Sequence, residues 1–164
     1  MIRYSEEIVL KKKIFSLLTV LVTTAVLIGC GQQDSELTEF QTNMDAFCTK
    51  VSEIDVSINS IDADAEDAVE QLLGKLDELE QLFQGFSTLD FPEEFDYLEP
   101  IAAESGEYMK TAVASYHDAY SNDSYNEYTA EYARENYYRA YKRVKIILSF
   151  LHGETPEGVN FEEQ

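Results

Sequence analysis

Residues 128–148 read YTAEYARENYYRAYKRVKIIL, and this stretch decides the fold. Ala130, Ala133, Tyr137, Ala140, Val144 and Ile147, with Leu151 just beyond, recur in strict three-four alternation. That spacing gathers side chains on one face of an α-helix and scatters them over both faces of a strand. The helix is expected from about residue 125 to 152, with Gly153 where a C-cap glycine belongs.

Three further segments carry the same period. In the first, Leu37, Phe40, Met44, Phe47, Val51, Ile54, Ile58 and Ile61 form a helix seam, and Asp34 or Ser35 can cap its start. Residues 59–64 supply Asn, Ser and Asp, which compete with helical backbone bonding, so a turn is expected there; no Gly or Pro marks it, and the alternative is one long helix running through. The second helix presents Val69, Leu72, Leu76, Leu79, Phe83 and Phe86, widened by Leu73 and Leu82. A loop follows, and Pro92 with Glu93 and Glu94 suits the start of a new helix. The third helix carries Phe95, Leu98, Ala102, Met109, Ala112, Tyr116 and Ala119, with Pro100 either kinking it or marking its true beginning. Residues 121–124 form a polar turn, and 154–164 an acidic tail. The expected fold class is therefore all-α, an antiparallel up-down-up-down four-helix bundle over residues 36–153.

The amino-terminal third has a different character. Lys11, Lys12 and Lys13 precede an apolar run from Ile14 to Ile28, interrupted only by Ser16, Thr19, Thr23 and Thr24. This is signal-peptide architecture, and the run falls short of the roughly 20 apolar residues a membrane span needs. Glu6 and Glu7 stand ahead of the lysines, where a signal carries positive charge, which points to a translation start at Val9 or Leu10.

The run closes on Leu27-Ile28-Gly29-Cys30, which resembles the lipobox of bacterial lipoproteins. The resemblance implies a signal peptide over residues 1–29 that is removed, diacylglycerol on the Cys30 sulfur, and a lipidated tether over residues 30–35. Two or three acyl chains, at about 0.8 kcal/mol per buried CH₂, hold such a protein at the extracytoplasmic face of the cell membrane. Further along, Tyr108-Met109, Tyr116-His117, Tyr138-Arg139-Ala140 and Leu151-His152-Gly153 give the chain a pattern similar to helical-bundle lipoproteins of clostridial-type bacteria. That resemblance implies compartment and fold and transfers no catalytic residue.

Without residues 1–29, 8 basic side chains face 30 acidic ones, a formal charge of −22. Such a field excludes nucleic acid and favours solubility, cationic partners or loosely held divalent ions. With Cys30 lipidated, Cys48 is left alone, beside Phe47, as a small hydrophobe.

Motifs for catalysis are missing. A di-metal bundle needs Glu three residues before each His, but Ala114 and Ser149 stand there before His117 and His152. Residues 62–67 open like a calcium loop, yet Asp67 takes the glycine position and Leu73 the place of the closing glutamate. No metal, cofactor or enzymatic activity is expected.

Tyrosine is the unusual component, with ten of eleven between Tyr97 and Tyr141. At roughly 100° per residue, Tyr125, Tyr128, Tyr132, Arg139, Arg143, Ile146 and Phe150 form a second stripe on the fourth helix, away from its core face. Tyr and Arg are the side chains that interfaces favour. The expected function is a membrane-anchored, non-catalytic interaction module whose stripe, or the distal acidic turn at residues 62–67, meets an envelope protein. The alternative is a lipoprotein that binds a small molecule, peptide or metal in a pocket between helices three and four.

Overall fold

The computed structural model describes residues 35–121 and 125–154. Leu27, Ile28, Gly29 and Cys30, the signal segment, nearly all of the tether, residues 122–124 and the tail from 155 onward lie outside the described residues.

Four α-helices pack against one another: α1 (Ser35–Asn59), α2 (Ala68–Phe86), α3 (Glu99–Tyr120) and α4 (Glu127–Leu151). A 3-10 helix, Glu93–Leu98, leads into α3, and no strand occurs among the described residues. The break after α1 has the expected physical cause. Asn59 Nδ2 donates to the Asp55 carbonyl, Ser60 Oγ to that of Ser57, and Asp62 Oδ1 accepts from the Asp64 N–H at 3.0 Å. Pro100 begins α3 and does not kink it, because in the first turn its missing N–H has no helical partner to lose. Asn126 caps α4 by accepting from Thr129 N–H at 3.2 Å, and its own N–H donates to the Ala119 carbonyl, tying the start of α4 to the end of α3. Gly153, at φ +73°, ends α4 in the left-handed region that favours glycine.

The apolar periodicity becomes the core. Phe40, Met44, Phe47, Val51, Ile54 and Ile58 from α1 are buried with Leu72, Leu76, Leu79, Phe83 and Phe86 from α2. Phe47 stacks on Phe86 at 4.3 Å and meets Phe83 at 5.3 Å, while Phe40 reaches Phe91 at 4.8 Å. Leu98, Ala102, Met109, Ala112, Val113 and Tyr116 from the α3 side close over Ala133, Tyr137, Ala140, Val144 and Ile147 of α4. The most extensive contact runs between α3 and α4, then between α2 and α3, then between α1 and α2.

One glycine sets a distance. An ideal Cβ on Gly106 would lie 2.8 Å from Ser87 Cβ and 2.9 Å from its Oγ, so α3 approaches the end of α2 only because that atom is missing. Gln84 Nε2 donates to the Gly106 carbonyl at 3.1 Å across the same contact. Gly74, exposed on α2, has open space around it. Gly106→Ala is expected to destabilise by about 1–2 kcal/mol even after the helix-propensity gain. Gly74→Ala is expected to stabilise by about 0.5–1 kcal/mol. Denaturant unfolding reads both, and a stabilised Gly106→Ala variant would contradict the close approach.

Candidate interaction surface

The second stripe of α4 is divided by its neighbours. Tyr128 is 90% exposed and Tyr132 52% exposed, although both rings would gain by leaving water. Tyr125 is half-buried against Tyr120, with ring centroids 5.1 Å apart. Toward the C-terminal half of α4 the stripe is taken up by the α3 side. Arg143 forms an ion pair with Glu104 and sits 5.5 Å from the Tyr108 ring centroid. Arg139 shares that ring at 5.9 Å while pairing with Glu135 at 3.5 Å. Ile146 is buried, and Phe150 meets Tyr97 edge-on at 5.9 Å. The continuous surface expected from helical angles is thus open only around Tyr128 and Tyr132, with Arg139 at its edge. Helix geometry alone shows which residues share a face, not how far a neighbouring helix wraps around it.

A polar cluster in the core escaped the periodicity. Asp55 is buried on α1, and its Oδ1 lies 3.0 Å from Tyr141 Oη and 3.3 Å from Tyr137 Oη. Tyr137 and Tyr141, one turn apart on α4, stack at 4.7 Å with their hydroxyls 2.9 Å apart. The geometry lets Tyr141 donate to the carboxyl and Tyr137 donate to Tyr141. The signal was present in the sequence: Asp55 follows Ile54, four residues after Val51 and three before Ile58, so it lies on the apolar face and requires a buried partner. Burial pushes the Asp55 carboxyl up to about 6, with the hydroxyls of Tyr141 and Tyr137 pulling the other way. Burial likewise raises both phenols well above their ordinary value, Tyr137 and Tyr141 also feeling the negative charge of Asp55.

Other reactive groups are quiet or spread apart. Cys48 is half-buried, and burial together with Asp45 holds its thiol up at about 11, so it remains protonated at neutral pH. His117 Nε2 contacts Asp77 Oδ1 at 2.7 Å between α3 and α2, exposed to water. Among the described residues, no three His, Cys, Asp or Glu side chains converge closely enough to hold a metal ion. An open cleft of about 660 Å³ beside His117 is bordered by Glu66, Glu70, Leu73 and Asp77, and another of about 760 Å³ by Ser87, Asp90, Tyr97 and Pro100. Neither lies between α3 and α4, where rings and alanines are packed.

Comparison with known proteins finds no matching family model, no matching curated protein and no matching solved structure.

The raised Asp55 value fixes the sign of a pH effect. The folded state holds this proton more tightly than the unfolded chain, so the stability contributed below about pH 4 is lost as pH rises through about 6. The shift corresponds to roughly 2–3 kcal/mol. Asp55→Asn keeps an acceptor for the Tyr hydroxyls and removes the titration. The stability difference between variant and wild type should therefore move in the variant's favour from pH 4 to pH 7, measured by denaturant unfolding at both. A difference independent of pH would refute the assignment.

Proposed function

We propose that this protein is a lipid-anchored, extracytoplasmic interaction module with no chemistry of its own, presenting the Tyr128–Tyr132 face of α4 to a protein of the cell envelope. The observation that carries the reading is the exposure of Tyr128 and Tyr132 side by side, one turn apart, on a helix whose opposite face is fully engaged in the core. Exposed aromatic rings at adjacent helical positions offer contact area with little side-chain entropy to lose, as interface hot spots do.

An antiparallel up-down-up-down arrangement belongs to this reading. It is supported by the order of the contacts: Phe40 meets Phe91 while Phe47 meets Phe83, Asp77 meets His117 while Gln84 meets Gly106, and Glu104 meets Arg143 while Tyr97 meets Phe150. With lipid on Cys30, just ahead of α1, the 3-10 helix and the end of α4 then face the membrane, and Tyr128 and Tyr132 face away. Lys142 and Lys145 would be drawn to anionic headgroups. Exposed Glu93, Glu94, Asp96 and Glu99 at the same end offset that attraction, so the lipid is left as the principal anchor. No helix among the described residues is long and apolar enough to cross a membrane.

Two sets of substitutions test the two halves of the proposal. Cys30→Ser should move the protein from the membrane fraction to the aqueous one, and unchanged membrane recovery would remove the lipid anchor. Tyr128→Ala with Tyr132→Ala should change stability by less than about 0.5 kcal/mol, because both rings are solvent-exposed. The same double variant should lose capture of an envelope partner, and undiminished capture would sink the site.

A further inference from the structure

A second face of α4 carries a pattern that neither the core nor the Tyr128–Tyr132 face uses. Glu131, Glu135, Tyr138, Lys142 and Lys145 follow one another at intervals of four, three, four and three residues, within an arc of about 80° turned away from the core. All five are exposed, Tyr138 to 40%. The charges along this line are segregated, with two carboxylates before Tyr138 and two ammonium groups after it. Among the described residues, Glu131 and Glu135 pair only within the helix, with Arg134 and Arg139. Lys142 and Lys145 hold no ion pair among the described residues.

A line that is negative in one half and positive in the other is complementary to itself when reversed. We propose that α4 pairs antiparallel with α4 of a second copy of this chain, Tyr138 lying near the two-fold axis and Glu131 and Glu135 of each protomer facing Lys142 and Lys145 of its partner. Such a two-fold contact is isologous: one patch serves both molecules. It also answers the electrostatic difficulty of bringing two strongly acidic chains together. α1, α2 and α3 each hold a single lysine among several carboxylates, whereas α4 carries five basic side chains against three acidic ones. The approach along α4 is therefore the one with the least repulsion. Arg134, 5.7 Å from the Tyr138 ring centroid, supports that ring from the flank.

The magnitudes make this a weak association. One helix laid on another covers less than the roughly 1,200 Å² of stable complexes, and exposed ion pairs contribute little each. A dissociation constant in the micromolar to millimolar range follows, about the strength at which confinement to a membrane makes pairing effective. The pairing does not rest on the partner-binding reading above, since it uses a different face and leaves Tyr128 and Tyr132 unaltered.

The test is a charge exchange on the full chain in detergent micelles, with self-association followed by sedimentation velocity and helix content and melting checked for each variant. Wild type should dimerise reversibly as concentration rises. Lys142→Glu with Lys145→Glu, and separately Glu131→Lys with Glu135→Lys, should each weaken the dimer at least about tenfold, since four pairs become four repulsions. An equimolar mixture of the two variants should dimerise again, at least as tightly as wild type. A wild type that stays monomeric up to millimolar concentration, leaving the seam for a helix of another protein, would overturn the proposal. So would charge-exchanged variants that dimerise as well as wild type, or a mixture that remains monomeric.

Discussion

The close approach of α3 to α4 is the constraint from which the remaining features follow. The two helices bury Ala102, Ala112 and Ala119 on one side and Ala130, Ala133 and Ala140 on the other, and the Asn126 N–H bond to Ala119 closes the connection between them. Side chains this small let two backbones come near, and Tyr116 and Tyr137 are the tyrosines buried alongside them. Other tyrosines lie at its edges. Tyr108 fills one edge beneath Arg139 and Arg143, Tyr137 and Tyr141 lean across to α1, and Tyr128 and Tyr132 remain in water. The aromatic surface that makes α4 a candidate interface is thus a by-product of the tight pair behind it.

On the opposite side of the molecule larger side chains fill the space between the helices, and a polar cluster lies among them. α1 contacts α2 through phenylalanine rings and reaches α4 through long side chains, with the Asp55–Tyr137–Tyr141 cluster as its polar link. A buried carboxyl without a cation costs stability when ionised, and two hydroxyls offset only part of that cost. What such a cluster adds is register: an acceptor at one position of α1 is matched to two donors a turn apart on α4, and a slip of one residue would leave the carboxyl unpaired among apolar side chains.

Much of this was legible residue by residue. Of the positions expected to face inward on α4, Ala130, Ala133, Tyr137, Ala140, Val144 and Ile147 are buried, and Leu151 is half-buried against the same core. The break at Asn59 and the left-handed Gly153 were also visible, because side-chain competition with the backbone and a missing Cβ are local properties. The Tyr/Arg stripe was legible only as a set of angles. Arg143 and Phe150 share a face with Tyr132 on the helix, yet Glu104 and Tyr97 from the α3 side occupy the first two and leave the third in solvent. Asp55 could be suspected from its place between Ile54 and Ile58, but its partners lie 82 and 86 residues away, and no period in the chain connects them.

By itself the sequence determined that the described residues are helical, where the first helix breaks and the fourth ends, and which side of each helix is apolar. Those properties depend on interactions within a few residues, where a 3.6-residue repeat, a capping side chain or a glycine acts directly. Only the tertiary structure decided how deeply each helix is embraced by its neighbours. That depends on the size of the side chains meeting across a seam, and it sorted one row of tyrosines and arginines into some that hold the protein together and some left free to meet another.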